Sequence, residues 1–273
     1  MIQLDTSWLQ HVQKPARYTG GEWNSIVKNH ADVDVTMALG FPDVYEVAMS
    51  HLGLKILYGL INEREDAYAE RVFAPWMDME EEMRKRGIPL YSLETKTPVR
   101  DVDLFGFSLQ YEMSYTNISN MMDLAGIPYK AENRDLSWPL IVAGGPCAYN
   151  VEPLADFIDV ISLGESEDWY QEFIDLYKEE KAKGFPGGKI EFLHKAATIP
   201  GTYCPALYEA SYTAAGDFEK ITPLFDDIPA KITKRIVEDV EHVYYPTKPV
   251  VPYIDIVHDR AVLDLFRGCS RGC

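Results

Sequence analysis

The chain has 273 residues, 47 % hydrophobic and 25 % charged, enough for one large domain or two smaller ones, and a net charge of −17. That charge argues against a broad nucleic-acid surface, which needs clustered Lys and Arg, and no apolar run approaches the roughly 18 residues that suggest a membrane span. Four cysteines are too few for a disulfide scaffold and no signal peptide opens the chain, so a reducing, cytoplasmic setting is expected.

Residues 1–30 are irregular, with Trp8, Trp23 and the turn pair Gly20-Gly21, and read as a short helix and a loop. Residues 32–39 (DVDVTMAL) suit a buried strand that breaks at the turn cluster Gly40-Phe41-Pro42-Asp43. Residues 51–63 then place Leu52, Ile56 and Leu60 at helical spacing. The cycle repeats: 71–73 as strand, 76–86 as a helix stopped by Gly87, and 88–91 as the next strand. Strands are also expected at 103–109, 140–143 and 159–163, with helices at 115–124 and from 167 to about 183. Alternation of this kind predicts an α/β fold, a doubly wound parallel sheet with both faces covered.

The stretch 184–188 (GFPGG) breaks the alternation and is the best candidate boundary. Beyond it, 207–212 and 220–224 read as a hairpin and 230–240 as a further strand, followed by a linker with Pro246, Pro249 and Pro252. The expected organisation is an N-terminal segment (1–30), a Rossmann-like domain (31–185), an α+β connector (186–258) and a final piece (259–273). Residues 151–181 carry ten acidic side chains against two Lys, which reads as a solvated helix face.

In an open parallel sheet, ligands bind outside the carboxyl ends of the strands. The loops 40–51, 108–114, 144–149 and 164–167 would gather there, and Gly144-Gly145 would let backbone approach a ligand closely. No GxGxxG and no GxxxxGK[ST] is present, so the usual dinucleotide and P-loop readings lose their support. His51 invites a metal or cobalt reading, against which stands a polar residue capping a helix start. Cys147 and Cys204 are isolated and read as small buried groups, and Tyr111, Tyr115 and Tyr149 as packing around the cleft rim.

The last stretch is different. RGCSRGC follows an apolar run at 261–266, read as a strand, and sets Cys269 and Cys273 in a CxxxC spacing beside Gly268 and Gly272. Thiolates are soft ligands suited to iron–sulfur clusters or zinc; a zinc knuckle would want CxxC.

Residues 262–273 (VLDLFRGCSRGC) resemble the first barrel strand and cluster loop of radical S-adenosylmethionine (SAM) enzymes, with Cys269 and Cys273 matching the first two cysteines of CxxxCxxC. The stretches 49–57 (MSHLGLKIL) and 159–167 (DVISLGESE) are similar to the cobalamin-binding-like Rossmann domain that precedes many such barrels. With GGEWN (20–24), FPDVYEVAMSHLG (41–53) and AGGPCAYN (143–150), the chain resembles an uncharacterised bacterial group of radical SAM proteins with a B12-binding-type domain.

The resemblance implies a [4Fe-4S] cluster held by Cys269, Cys273 and a third cysteine three residues past Cys273. It also implies SAM on the open iron, and an electron donor such as flavodoxin or ferredoxin. It makes the chain the front part of such an enzyme, truncated inside the motif and not catalytic without the barrel. Cobalamin is the further possibility it raises, with Ser108, Gly144, Gly145 and His51 nearest the family's binding positions. The family's lower-ligand pattern is DxHxxG, whereas here Met49 stands in the Asp position and Gly53 comes one residue early. Two other readings stay open: a cobalamin- or small-ligand-binding regulatory module without its own catalysis, and a structural domain that docks on the barrel. The methylthiotransferases, with three cluster cysteines in their front domain, fit less well, since Cys147 and Cys204 cannot supply three.

Overall fold

A computed structural model describes residues 6–268 and 271. A 3-10 turn (Thr6–His11) and the single turn α1 (Ala16–Thr19) lead into β1 (Val35–Phe41), whose seven residues are all buried, as a strand covered on both faces requires. There follow α2 (Tyr45–Ala48), α3 (Leu52–Glu63), β2 (Ala67–Phe73), α4 (Met77–Arg86), β3 (Leu104–Ser108), α5 (Tyr115–Ala125), β4 (Leu140–Gly144) and β5 (Val160–Ser162). Then come α6 (Glu167–Ala182), α7 (Gly188–Ala196), β6 (Thr202–Tyr203) and the hairpin β7 (Tyr208–Tyr212) and β8 (Phe218–Pro223).

The main sheet runs β2-β1-β3-β4-β5-β6, parallel throughout except for the antiparallel edge strand β6. The winding therefore reverses between β1 and β3, which is where a doubly wound sheet opens its crevice. Alternate residues of β1 feed two cores. Val35, Met37, Leu39 and Phe41 meet α3, α6 and α7 on one face, while Ala38 lies with Met79, Met83, Ile118 and Met121 of α4 and α5 on the other.

Helix ends follow local chemistry. Helix α4 carries Asp78 and Glu80 in its first turn, Arg84, Lys85 and Arg86 in its last, and stops at Gly87 in the left-handed region. In α6, Trp169 stacks on Phe173 at 4.5 Å and both are fully buried, each contributing about 2–3 kcal/mol relative to an exposed position. The Trp169 indole N–H donates to Thr202 Oγ1 at 2.8 Å, which ties α6 to β6.

The edge strand β2 is protected by an ionic cluster. Arg71 donates to both Glu22 oxygens (3.1 and 2.7 Å) and to Glu94 Oε1 (2.6 Å), and its backbone N–H donates to Glu94 Oε2 (2.7 Å). A carboxylate thus occupies part of the row that a bare edge would present to other chains.

Several expected elements are absent or changed. Residues 88–91 form no strand; only Tyr91 bridges to Pro98. In 230–240 the only strand pairing among the described residues is a parallel bridge from Arg235 to Gly164. The stretch 184–188 is a turn between two packed helices: Phe192 and Leu193 of α7 join the core of Phe173 and Tyr177, and β6 extends the sheet. The core therefore runs past the expected boundary at 185. Residues 261–267 have no ladder partner among the described residues, so the expected strand does not form there, and Leu263, Leu265 and Phe266 stay exposed. A strand needs a neighbour for its backbone N–H and C=O groups.

Candidate functional site

At the β1/β3 switch point the chain leaves a cavity of about 150 Å³, and Ser108, Gly144, Gly145 and His51 all line it, with Gln110, Glu167 and Tyr170. Each arrives by a separate route. Ser108 ends β3 in register with Gly144 at the end of β4. Gly145 then turns at φ +107°, and a Cβ there would come within 2.8 Å of the Leu109 carbonyl oxygen. Lacking one, the loop closes with Leu109 N–H on Gly144 O at 2.7 Å and Cys147 N–H on Leu109 O at 3.0 Å.

His51 is the N-cap of α3: its Nδ1 accepts the Leu54 N–H at 3.1 Å, and its ring lies 5.4 Å from that of Phe41. That bond fixes the tautomer, because an accepting Nδ1 leaves the proton on Nε2. The Gln110 side chain is the ring's other partner and in turn donates to Ser108 Oγ at 2.9 Å. Burial lowers the His51 pKa, so the ring is neutral near pH 7.

This arrangement does not fit cobalamin. A lower-ligand imidazole needs a free nitrogen lone pair, and His51 has spent its own on Leu54. The residue in the Asp position, Met49, points elsewhere, its Sδ lying 3.2 Å from Arg71 Nη1 in the buried ionic cluster. The cavity also lies below the roughly 300–1,000 Å³ of pockets for drug-sized ligands, and a corrin is larger than those.

A second cavity of about 490 Å³ opens beside the first, lined by Gly145, Tyr149, Glu165, Arg235, Val240 and Arg267 among others. The connector is stitched to this edge. Arg235 N–H donates to Leu163 O (2.8 Å), Glu165 N–H to Arg235 O (3.0 Å), and Val237 N–H to the Glu165 carboxylate. The Arg235 guanidinium grips Glu172 at 2.8 and 2.6 Å. Gly164 permits this contact, since at φ +105° a Cβ would run into the Arg235 backbone.

Arg267 is anchored at the same edge, with Nη2 at 2.6 Å from Glu167 Oε1 and Nε at 3.0 Å from Asp264 Oδ2. The acid-rich run, read from sequence as a solvated face, therefore supplies partners for arginines, among them Arg235 and Arg267. Each partner lies 63 residues or more away along the chain in the Arg235 pair and 100 in the Arg267–Glu167 pair, so no local spacing announces them.

Of the tyrosines expected at the rim, Tyr115 donates to the Cys147 and Asn150 carbonyls at 3.1 Å, while Tyr111 and Tyr149 stand exposed. Cys147 and Cys204 are free, buried thiols whose pKa values burial raises, which suits packing rather than ligation. Cys269 and Cys273 lie outside the described residues, and among the described residues no group of three His, Cys, Asp or Glu could hold a metal ion.

The fold and edge define an α/β domain of the doubly wound class with its crevice at the β1/β3 reversal. Residues 53–205, more than half of the chain, match the family described as radical SAM proteins, N-terminal, and the chain belongs to that family. The match runs from α3 to just past β6; β1 and the terminal cysteines fall outside it. No curated protein and no solved structure matches the chain.

Proposed function

We propose that this chain is the front part of a radical SAM enzyme of the type that carries a B12-binding-like domain, in which Cys269 and Cys273 are two of three thiolate ligands to a [4Fe-4S] cluster. The observation that carries the reading is membership of the radical SAM N-terminal family, joined to a CxxxC pair of the spacing that begins CxxxCxxC. The donor set suits the group by its chemistry: two soft thiolates, each next to a glycine in the sequence. The third ligand would come from outside these residues, since Cys204 is sealed in the core and Cys147 sits in the β4 loop.

When bound, such a cluster supplies the electron that cleaves SAM and starts radical chemistry on an organic substrate. The electron would come from a donor of the flavodoxin or ferredoxin class, in a reducing compartment such as the cytoplasm. What this chain's residues contribute is support: the carboxyl edge of the sheet holds the connector through Arg235 and the cysteine-bearing segment through Arg267.

Anaerobic reconstitution of a protein extended through the third cysteine tests this. Iron and sulfide should load to a cluster that is lost in Cys269→Ala and Cys273→Ala. Full iron content in either variant rejects the assignment.

The alternative is a small-ligand-binding module without its own catalysis. The switch-point cavity, about 150 Å³ and lined by Leu39, Ile56, Leu57 and Phe107 as well as Ser108, Gln110 and Glu167, favours a small molecule over a corrin. Retained iron in both cysteine variants, together with ligand-dependent protection of Ser108 and Gly144 amides from hydrogen exchange, would favour this reading.

A further inference from the structure

The stretch 261–268 is exposed almost throughout: Leu263 is 74 %, Leu265 82 % and Phe266 77 % accessible. Only Asp264 and Arg267 are partly buried there, and they bond to each other. The side chain of Arg267, 17 % accessible, reaches Glu167 at 2.6 Å and approaches Glu165 at 3.9 Å. Neighbours that would gain most from burial are left in water, while a charged residue is held. That inversion marks a specific contact rather than hydrophobic collapse.

Glu167 stands in the first turn of α6 and also lines the switch-point cavity. Glu165 lines the larger cavity and accepts the Val237 N–H. The four residues 164–167 therefore touch both cavities, the connector and Arg267. Arg267 stands two residues ahead of Cys269 in the sequence.

We propose that Arg267 is a positioning residue, a latch whose ion pair with Glu167 fixes the cysteine-bearing segment against the carboxyl edge of the sheet and links it to the switch-point cavity. The link to a cluster rests on the reading above; the latch itself does not. Three carboxylates surround one guanidinium, so losing the cation leaves three negative charges facing the segment.

The latch can be read without iron, because trypsin must draw an arginine side chain into its own pocket before cutting. In the iron-free chain, cleavage at Arg267 should be slow relative to the exposed Arg260 and Arg271. Glu167→Gln should speed cleavage at Arg267 about tenfold, the size of one charge-assisted hydrogen bond in an opening equilibrium. Glu167→Asp should restore most of the protection, and rates at Arg260 and Arg271 should not move. Cleavage at the buried Arg134 reports general unfolding and should stay negligible. Equal cleavage at Arg267 in the parent and Glu167→Gln chains overturns the latch.

A second arm uses the reconstituted, extended protein. Arg267→Ala should keep its iron but shift the cluster midpoint to more negative potential, since a nearby cation is lost; an unchanged midpoint overturns the positioning role. Should the cysteine variants retain iron while Glu167→Gln still frees Arg267, the cluster reading fails and the latch stands. The reverse pattern removes the latch alone.

Discussion

Replacing Arg71 by Met would expose how much of this fold depends on one cation. The Arg71 side chain is 2 % accessible, and its partners Glu22 and Glu94 are each 0 %. Arg71→Met keeps the volume but leaves two carboxylates sealed without their counter-charge, and breaking a buried pair in this way costs about 3–5 kcal/mol. Loss of the guanidinium over the Tyr58 ring, 5.5 Å from its centroid, adds about 1 kcal/mol. At roughly 2–4 °C per kcal/mol for a chain of this size, the melting temperature should fall by about 10–15 °C. The pH dependence gives the argument its sign. In the parent, burial opposes ionisation of Glu22 but its bonds to Arg71 prevail and its carboxyl sits below the usual value, so it contributes stability above about pH 4.5 that is lost as pH falls. Without Arg71 the same carboxyl, like Glu94, which burial already pushes up, takes a proton more readily in the folded state. The variant should therefore gain on the parent as pH falls from about 7 to about 5. Thermal unfolding followed by circular dichroism at both pH values reads this. A melting point within about 2 °C of the parent, or a gap that widens in acid, refutes the reasoning.

Other outcomes follow from the same geometry. His51→Ala removes the cap of α3 and should cost about 1 kcal/mol in urea unfolding. Because burial holds the His51 pKa below its unfolded value near 6.5, the parent should lose stability as pH drops through about 6.5 and below, and the variant should lack that component; identical pH profiles would sink the claim. Hydroxocobalamin added to the chain should give no histidine-dependent spectral change, and a band that vanishes in His51→Ala would reverse the argument against a lower ligand. Gly145→Ala forces a side chain to φ +107° and toward the Leu109 carbonyl, so it should destabilise by about 2–3 kcal/mol, read by urea midpoint; neutrality would mean the loop closes differently.

The alternating pattern was legible because it is local. Residues 32–39, 103–109 and 140–143 were visible as strands since a covered parallel strand is apolar on both faces, and Gly87 marked a helix end that the structure caps in the left-handed region. The length of β2 was not legible: Glu70 and Arg71 look like surface residues, and partners brought from distant segments, among them Glu22, Glu94, His30, Ser92 and Thr95, make their burial tolerable. At the candidate site, Ser108, Gly144, Gly145 and His51 were within reach because strand ends and glycines predict a carboxyl edge. The roles of Glu165, Glu167, Arg235 and Arg267 were not, since an ion pair across 100 residues leaves no periodic trace. The GFPGG stretch misled for a related reason: a turn between two packed helices and a linker between domains share one composition.

These long-range pairs divide the molecule's ionic chemistry into two kinds. The Arg71 cluster is sealed, and its partners come from loops that close over an edge strand, so it can only hold the sheet together. The arginines at the carboxyl edge sit where water, a ligand or the cysteine-bearing segment can compete for the same carboxylates: Arg235 is held by Glu172, whose side chain is 46 % accessible, and Arg267 by Glu167 at the lip of a cavity. A partly solvated pair such as Arg235–Glu172 contributes little to global stability, so natural variation should be tolerated at that pair if stability were all that mattered. What the pairs do decide is the position of the connector and of Arg267. The edge that a doubly wound sheet ordinarily offers to a ligand is here shared with the protein's own connector, which bonds to it through Leu163, Glu165 and Arg235.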